Sequence, residues 1–143
     1  MRSGPPRVVH ELYDWLPGYG ENQVSVFSNG GEATIDVEYD DRLGEGVWKR
    51  AIQFIGVCCM YRASFPGPTA LPIALEPGTS LGSLVEFPAS EAARAWADHF
   101  GGSRPIRHFG VWFLADNSTI QVFAENFSVT EALRLNVTTG TRA

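Results

Sequence analysis

The chain has 143 residues, with 16 Asp and Glu against 11 Lys and Arg, a formal net charge of −5, and 44% apolar residues. That length suits one domain, over 1–143, able to bury a core without metal or disulfide support, and the lack of any basic run speaks against nucleic acid as a partner. No segment approaches the roughly 20 apolar residues of a membrane-spanning helix, so a soluble protein is expected, and 15 glycines with nine prolines point to many turns between short strands.

Residues 1–7 read as a loose arm without the apolar stretch of a secretory signal, so the expected compartment is the cytoplasm. His10 to Leu16 reads as a short helical turn closed by Pro17 and Gly18. Val24 to Ser28 reads as a strand, and Asn29-Gly30-Gly31 as a tight turn, because these residues accept positive φ. Ala33 to Tyr39 alternates, with Ala33, Ile35, Val37 and Tyr39 on one face and Thr34, Asp36 and Glu38 on the other. That is a half-buried strand, paired with the preceding one in a hairpin.

Asp40 to Gly46 is a polar loop. Val47 to Phe65 carries apolar residues on both parities, as a strand covered on both faces would. Its length calls for a bend or bulge near Gly56. Within it Cys58 and Cys59 are adjacent; strand neighbours point to opposite faces, so their sulfurs should diverge as two buried free thiols. Residues 66–80 hold four prolines and form a long loop, and 81–87 a short strand.

Ser90 to Phe100 is a helix. Ser90 suits the N-cap and Glu91 the positive end of the dipole. Ala92, Ala93, Trp96, His99 and Phe100 recur at helical spacing, and Gly101-Gly102 ends the run. Arg107 to Ala115 and Thr119 to Phe127 form a second hairpin turning at Asp116-Asn117-Ser118, with Phe109, Val111, Phe113 and Ala115 on one face. From Thr130 to Leu135 the tail reads as a brief helix. The fold class is therefore α+β, mostly β: a curved antiparallel sheet of about five to seven strands with the 90–100 helix packed on it. A small sandwich and a partly closed barrel are the alternatives.

Chemistry is thinly marked. His10, His99 and His108 are scattered without metal-ligand spacing, and the Asp/Glu run lacks a Ca²⁺-loop pattern. No nucleophile elbow, phosphate loop or dinucleotide fingerprint is present, and the Asn-x-Ser/Thr triplets at Asn117, Asn126 and Asn136 carry no glycosylation meaning without a secretory signal. No cofactor is expected, and the reading leans away from catalysis, with a small-molecule-binding protein or small biosynthetic enzyme holding an apolar aromatic pocket as the alternative. Asp36, Glu38, Asp40, Asp41 and Glu45 fall within ten residues. They read either as a solvated edge strand, where charge blocks unwanted pairing, or as a docking stripe for a basic protein partner. Trp48, His108, Trp112 and Phe123 are the candidates for an aromatic ligand pocket. If Trp112, Phe123 and His108 lie on the sheet face away from the helix, the 66–80 loop, a ligand, a partner or a second copy of the chain must cover them.

The segment His108-Phe109-Gly110-Val111-Trp112-Phe113-Leu114-Ala115-Asp116, with Ile120-Gln121-Val122-Phe123-Ala124-Glu125-Asn126-Phe127, resembles the closing hairpin of small bacterial immunity-type proteins. The likeness spans about twenty residues and rests on apolar alternation plus the Ala-Glu pair, the length of an ordinary hairpin. It implies a protein that binds and neutralises a toxin domain, here through the Asp36–Glu45 stripe, and it transfers no catalytic residue.

Overall fold

A computed structural model describes residues 4–12, 15–16, 21–40, 46–64, 83–113 and 118–135. The expected 66–80 loop, Asp41, Glu45 and the 116–117 turn lie outside the described residues. Within them the chain forms ten strands and one helix: β1 Arg7–Glu11, β2 Glu21–Asn29, β3 Glu32–Asp40, β4 Val47–Ile55, β5 Cys59–Ser64, β6 Ser83–Glu86, α1 Glu91–His99, β7 Arg107–Phe113, β8 Ser118–Ala124, β9 Asn126–Val129 and β10 Leu133–Arg134.

These strands make two antiparallel sheets rather than one. The front sheet runs β1-β6-β7-β8-β5, and the back sheet runs β10-β4-β3-β2 with β9 also beside β4. Neither closes into a barrel, so the sandwich alternative is the one realised. The core lies between the sheets. Ile35, Val37, Tyr39, Ile52 and Phe54 from the back sheet meet Phe109, Val111, Phe113, Ile120, Val122 and Ala124 from the front. Phe109 bridges the gap, with its ring 5.6 Å from Phe54 and 5.2 Å from Phe127. The helix sits on the outer face of the front sheet, where Ala93 packs with Ile106 and Phe123.

Local chemistry explains the elements. The side chains of β3 alternate buried and half-buried, as the two-residue period requires. Gly30 turns the β2–β3 hairpin at φ 63°. Ser90 caps α1 by accepting from Ala93 N–H at 3.1 Å. At the other end Gly101 and Gly102 adopt φ 67° and 77°, and Gly102 N–H returns to Ala97 C=O at 2.9 Å.

Four expectations need correction. The loose arm ends earlier than expected, since Arg7 already opens β1, which pairs with β6 through Arg7↔Glu86 and Val8↔Val85. His10 and Glu11 belong to that strand; the turn starts at Leu12, whose carbonyl accepts from Trp15 and Leu16. The expected 119–127 strand is two strands in two sheets, because at Glu125 the chain leaves β8 and donates its N–H to Ile55 C=O, entering the back sheet as β9. The tail forms β10 against Trp48 and Lys49 instead of a helix. Six residues are too few for propagation to offset the cost of nucleating a helix, and the open flank of β4 takes up their backbone groups: Thr130 N–H reaches Ala51 C=O and Leu135 N–H reaches Val47 C=O.

The long 47–65 segment does split at Gly56, which turns the chain from the back sheet to the front at φ 65°. Two sheet-to-sheet crossings, at Gly56 and at Glu125, thus lie side by side. Arg104 ties them together: its Nε donates to Glu125 Oε2 at 2.7 Å and its Nη2 to Gly56 C=O at 2.8 Å. Cys58 falls in the bend after Gly56, and the two free thiols are half-buried rather than buried as expected. Both cysteines pack on the Ala93, Ile106 and Phe123 cluster.

Candidate functional site

The outer face of the back sheet carries the acidic column. Asp36 and Glu38 point away from the core as the alternation predicts, and Asp40 at the strand end accepts from Asn22 Nδ2 at 3.0 Å. β3 is however an interior strand, flanked by β2 and β4 along its whole length. The carboxylates therefore stand on a sheet face, and the solvated-edge reading is overturned: the described edges of this sheet are β2 on one side and β9 with β10 on the other. Glu32 extends the column, and Lys49 approaches Asp36 to 3.6 Å. Successive outward positions on a strand are about 6.8 Å apart, so the column presents regularly spaced negative charge.

Sequence reasoning missed the apolar half of this face. Phe27, Ile55 and Leu133 are 57%, 52% and 60% exposed. Register places all three on the outer side: Phe27 opposite Thr34, Ile55 opposite Glu32, and Leu133 opposite Lys49, whose ammonium reaches Asp36. Phe27 was findable, because Val24 and Val26 point to the core and force the residue between and after them outward. Ile55 and Leu133 required the strand pairing.

The aromatic candidates divide between the sheets. His108, Trp112 and Phe123 share the helix-bearing outer face of the front sheet, whereas Trp48 sits on β4 against the inter-sheet core. The trio is not on the face away from the helix. His108 stacks 4.4 Å from Phe123 and 4.6 Å from Phe87, and Phe87 meets Trp112 edge-on at 6.4 Å.

His108 is also the centre of a buried polar relay. Its Nε2 lies 2.7 Å from Gln121 Oε1 and its Nδ1 2.9 Å from Ser90 Oγ. Gln121 Nε2 donates to Thr119 Oγ1 at 2.9 Å, so the amide oxygen is the atom facing the histidine. That oxygen only accepts, which puts the imidazole proton on Nε2 and leaves Nδ1 to accept from the Ser90 hydroxyl. Thr119 Oγ1–H in turn donates to Val111 C=O at 3.0 Å. Burial pushes His108 below the usual histidine range, against a smaller rise from the Gln121 contact. A serine hydroxyl aimed at a neutral imidazole is the first half of a hydrolytic relay. Here it is closed. Ser90 is 3% and His108 5% exposed, and Ser90 Oγ is held by Ala93 N–H. A carbonyl substrate has no approach to that oxygen, and the relay fastens the start of α1 to the sheet.

A second buried charge group lies at the rim between β1, β6 and β7. Glu86 receives Arg107 Nε and Nη2 at 3.0 and 2.9 Å and Arg7 Nη2 at 2.9 Å. The Arg107 hydrogen bonds hold its carboxyl below the usual range, against the opposing effect of burial, with Arg7 adding to the fall. Its contribution to stability is complete above the unfolded value near 4.5 and is lost as pH falls through the lower folded value. Glu86→Gln should therefore flatten the steepest acid limb of a urea-midpoint titration, below about pH 4.5, and leave the limb between pH 5 and 7 unchanged. An unaltered limb below 4.5 would mean that the arginines pair elsewhere once the chain is acidified.

Among the described residues no three His, Cys, Asp or Glu side chains gather as a metal centre requires, and no helix is long and apolar enough to cross a membrane. Comparison with family models, curated proteins and solved structures yields no significant match.

Proposed function

We propose that this chain is a non-enzymatic binding protein that docks a basic protein surface on the outer face of its back sheet, in the manner of an immunity protein neutralising a basic toxin domain. One observation carries the reading. Glu32, Asp36, Glu38 and Asp40 share one sheet face with the exposed Phe27, Ile55 and Leu133, while α1 covers the other side of the sandwich. Carboxylates steer a cationic partner into encounter, and apolar side chains between them supply contact energy once water is excluded. The likeness of the β7–β8 hairpin to immunity-type proteins agrees with this role. The aromatic-pocket reading has less support, since Trp48 is on the other sheet and the remaining three residues are packed with Phe87, Ala93 and Ile106.

The test is capture from the source cells by immobilised wild-type chain and by a D36N/E38Q/D40N variant, followed by kinetics on the captured protein. A basic partner is expected, with association slowed about tenfold or more at low ionic strength in the variant and little changed at high salt. Phe27→Ser with Leu133→Ser should instead speed dissociation. A partner that binds the neutralised variant at the wild-type rate would reduce the column to ordinary surface charge.

A further inference from the structure

Neighbouring cysteines in a regular strand face opposite ways. That rule does not bind Cys58 and Cys59, because Gly56, at φ 65°, bends the chain just before them and Cys58 lies outside the strand. Cys58 N–H donates to Phe123 C=O at 2.9 Å, and Cys59 then opens β5 opposite the same Phe123. Both side chains rest on the cluster of Ala93, Ile106 and Phe123, beside Trp96 and Phe100 of the helical segment. Both are free and half-buried. Both side chains thus line the seam between α1 and the start of β5, partly open to solvent.

The chemistry of this seam is selective. Burial pushes the Cys58 thiol up, Arg104 opposes that, and Cys59 adds to the rise, so Cys58 is a poor free nucleophile at neutral pH. Zinc would need further ligands, and among the described residues no third His, Cys, Asp or Glu joins the pair. A soft centre that takes two sulfurs from the protein and brings its own third substituent fits.

We propose that Cys58 and Cys59 form a bidentate site for a monosubstituted trivalent arsenical. In the bound step each thiol proton leaves with one arsenic-bound hydroxyl as water. Two As–O bonds and two S–H bonds break, two As–S bonds form, and no atom changes oxidation state. The carbon substituent on arsenic faces the open side of the seam, and the 3.5 Å contact of Cys58 Sγ with Phe123 C=O is given up.

The probe is phenylarsine oxide, applied to the intact chain and read by intact mass and thiol titration. One adduct per chain is expected, with both thiols lost together, reversal by 2,3-dimercaptopropanol and no reversal by an equal concentration of glutathione. Cys58→Ser and Cys59→Ser should each weaken binding about 100-fold, the gain that a second tethered contact provides. Cys→Ala versions guard against a folding effect, since alanine suits the apolar cluster. A wild-type adduct that leaves one thiol titratable, or a single variant with wild-type affinity, would overturn the proposal.

Discussion

Gly56→Ala is expected to destabilise the chain by about 2–4 kcal/mol, read as a lower urea midpoint at unchanged slope. Two effects combine. At φ 65° a side chain other than glycine is strained, which costs about 1–3 kcal/mol. An added Cβ would also lie 2.5 Å from Glu125 Cδ, so the Glu125 side chain must move. Moving it breaks the 2.7 Å contact with Arg104, the residue that joins the two crossings. The two effects separate in a double mutant. Glu125→Ala alone removes a partly exposed ion pair and should cost no more than about 1 kcal/mol. In that background Gly56→Ala meets no carboxylate and should retain only the backbone cost, giving a favourable coupling of about 1–2 kcal/mol. Additivity of the two substitutions would show that Glu125 yields freely and that strain alone makes position 56 a glycine.

What the crossings do explains where sequence reading succeeded. Glycine between two apolar runs marks a break in either sheet, and the alternation of Ala33 to Tyr39 orients β3 without knowledge of its neighbours. Ser90 and Gly101-Gly102 bound the helix through backbone chemistry that is local. Strand order is not local. Asp36 and Glu38 look alike on an edge or an interior strand, and only the pairing of β3 with both β2 and β4 distinguishes them. The change of sheet at Glu125 has no turn residue to announce it; its backbone bond goes to Ile55 and its carboxylate to Arg104, 21 positions earlier, and neither partner is local. Thr130 to Leu135 reads as helix in isolation because the available flank of β4 is remote in the chain, with 79 positions separating Ala51 from Thr130. Of the site residues, the carboxylates were legible because charge on an alternating strand must face out. The exposed Ile55 and Leu133 were not, since one reads as core and the other as a helix contact until their partners are known.

Ser90→Ala should cost about 2–4 kcal/mol, more than an ordinary helix cap, because one oxygen serves two buried partners. Loss of the cap leaves Ala93 N–H without its acceptor, worth about 0.5–2 kcal/mol. Loss of the hydroxyl proton leaves His108 Nδ1 buried with nothing to accept from, worth about 1–3 kcal/mol. Ser90→Thr keeps both roles and should stay close to wild type. The pH dependence distinguishes this account from simple loss of packing. His108 titrates below its usual value near 6.5 in the folded chain, so its neutral form is what the fold requires. Stability is then complete above about pH 6.5 and declines as pH falls through the folded value, by up to about 1.4 kcal/mol per pH unit for the one proton concerned. Ser90→Asp reverses the preference. The new carboxylate still caps α1 but can only accept, so it favours a proton on Nδ1 and raises the histidine pKa. Its deficit relative to wild type should shrink between pH 7.5 and 5.5, whereas the deficit of Ser90→Ala stays constant or grows. Parallel pH profiles for the two variants would mean that the Ser90 hydroxyl does not donate to His108, and the direction of the whole relay would have to be redrawn.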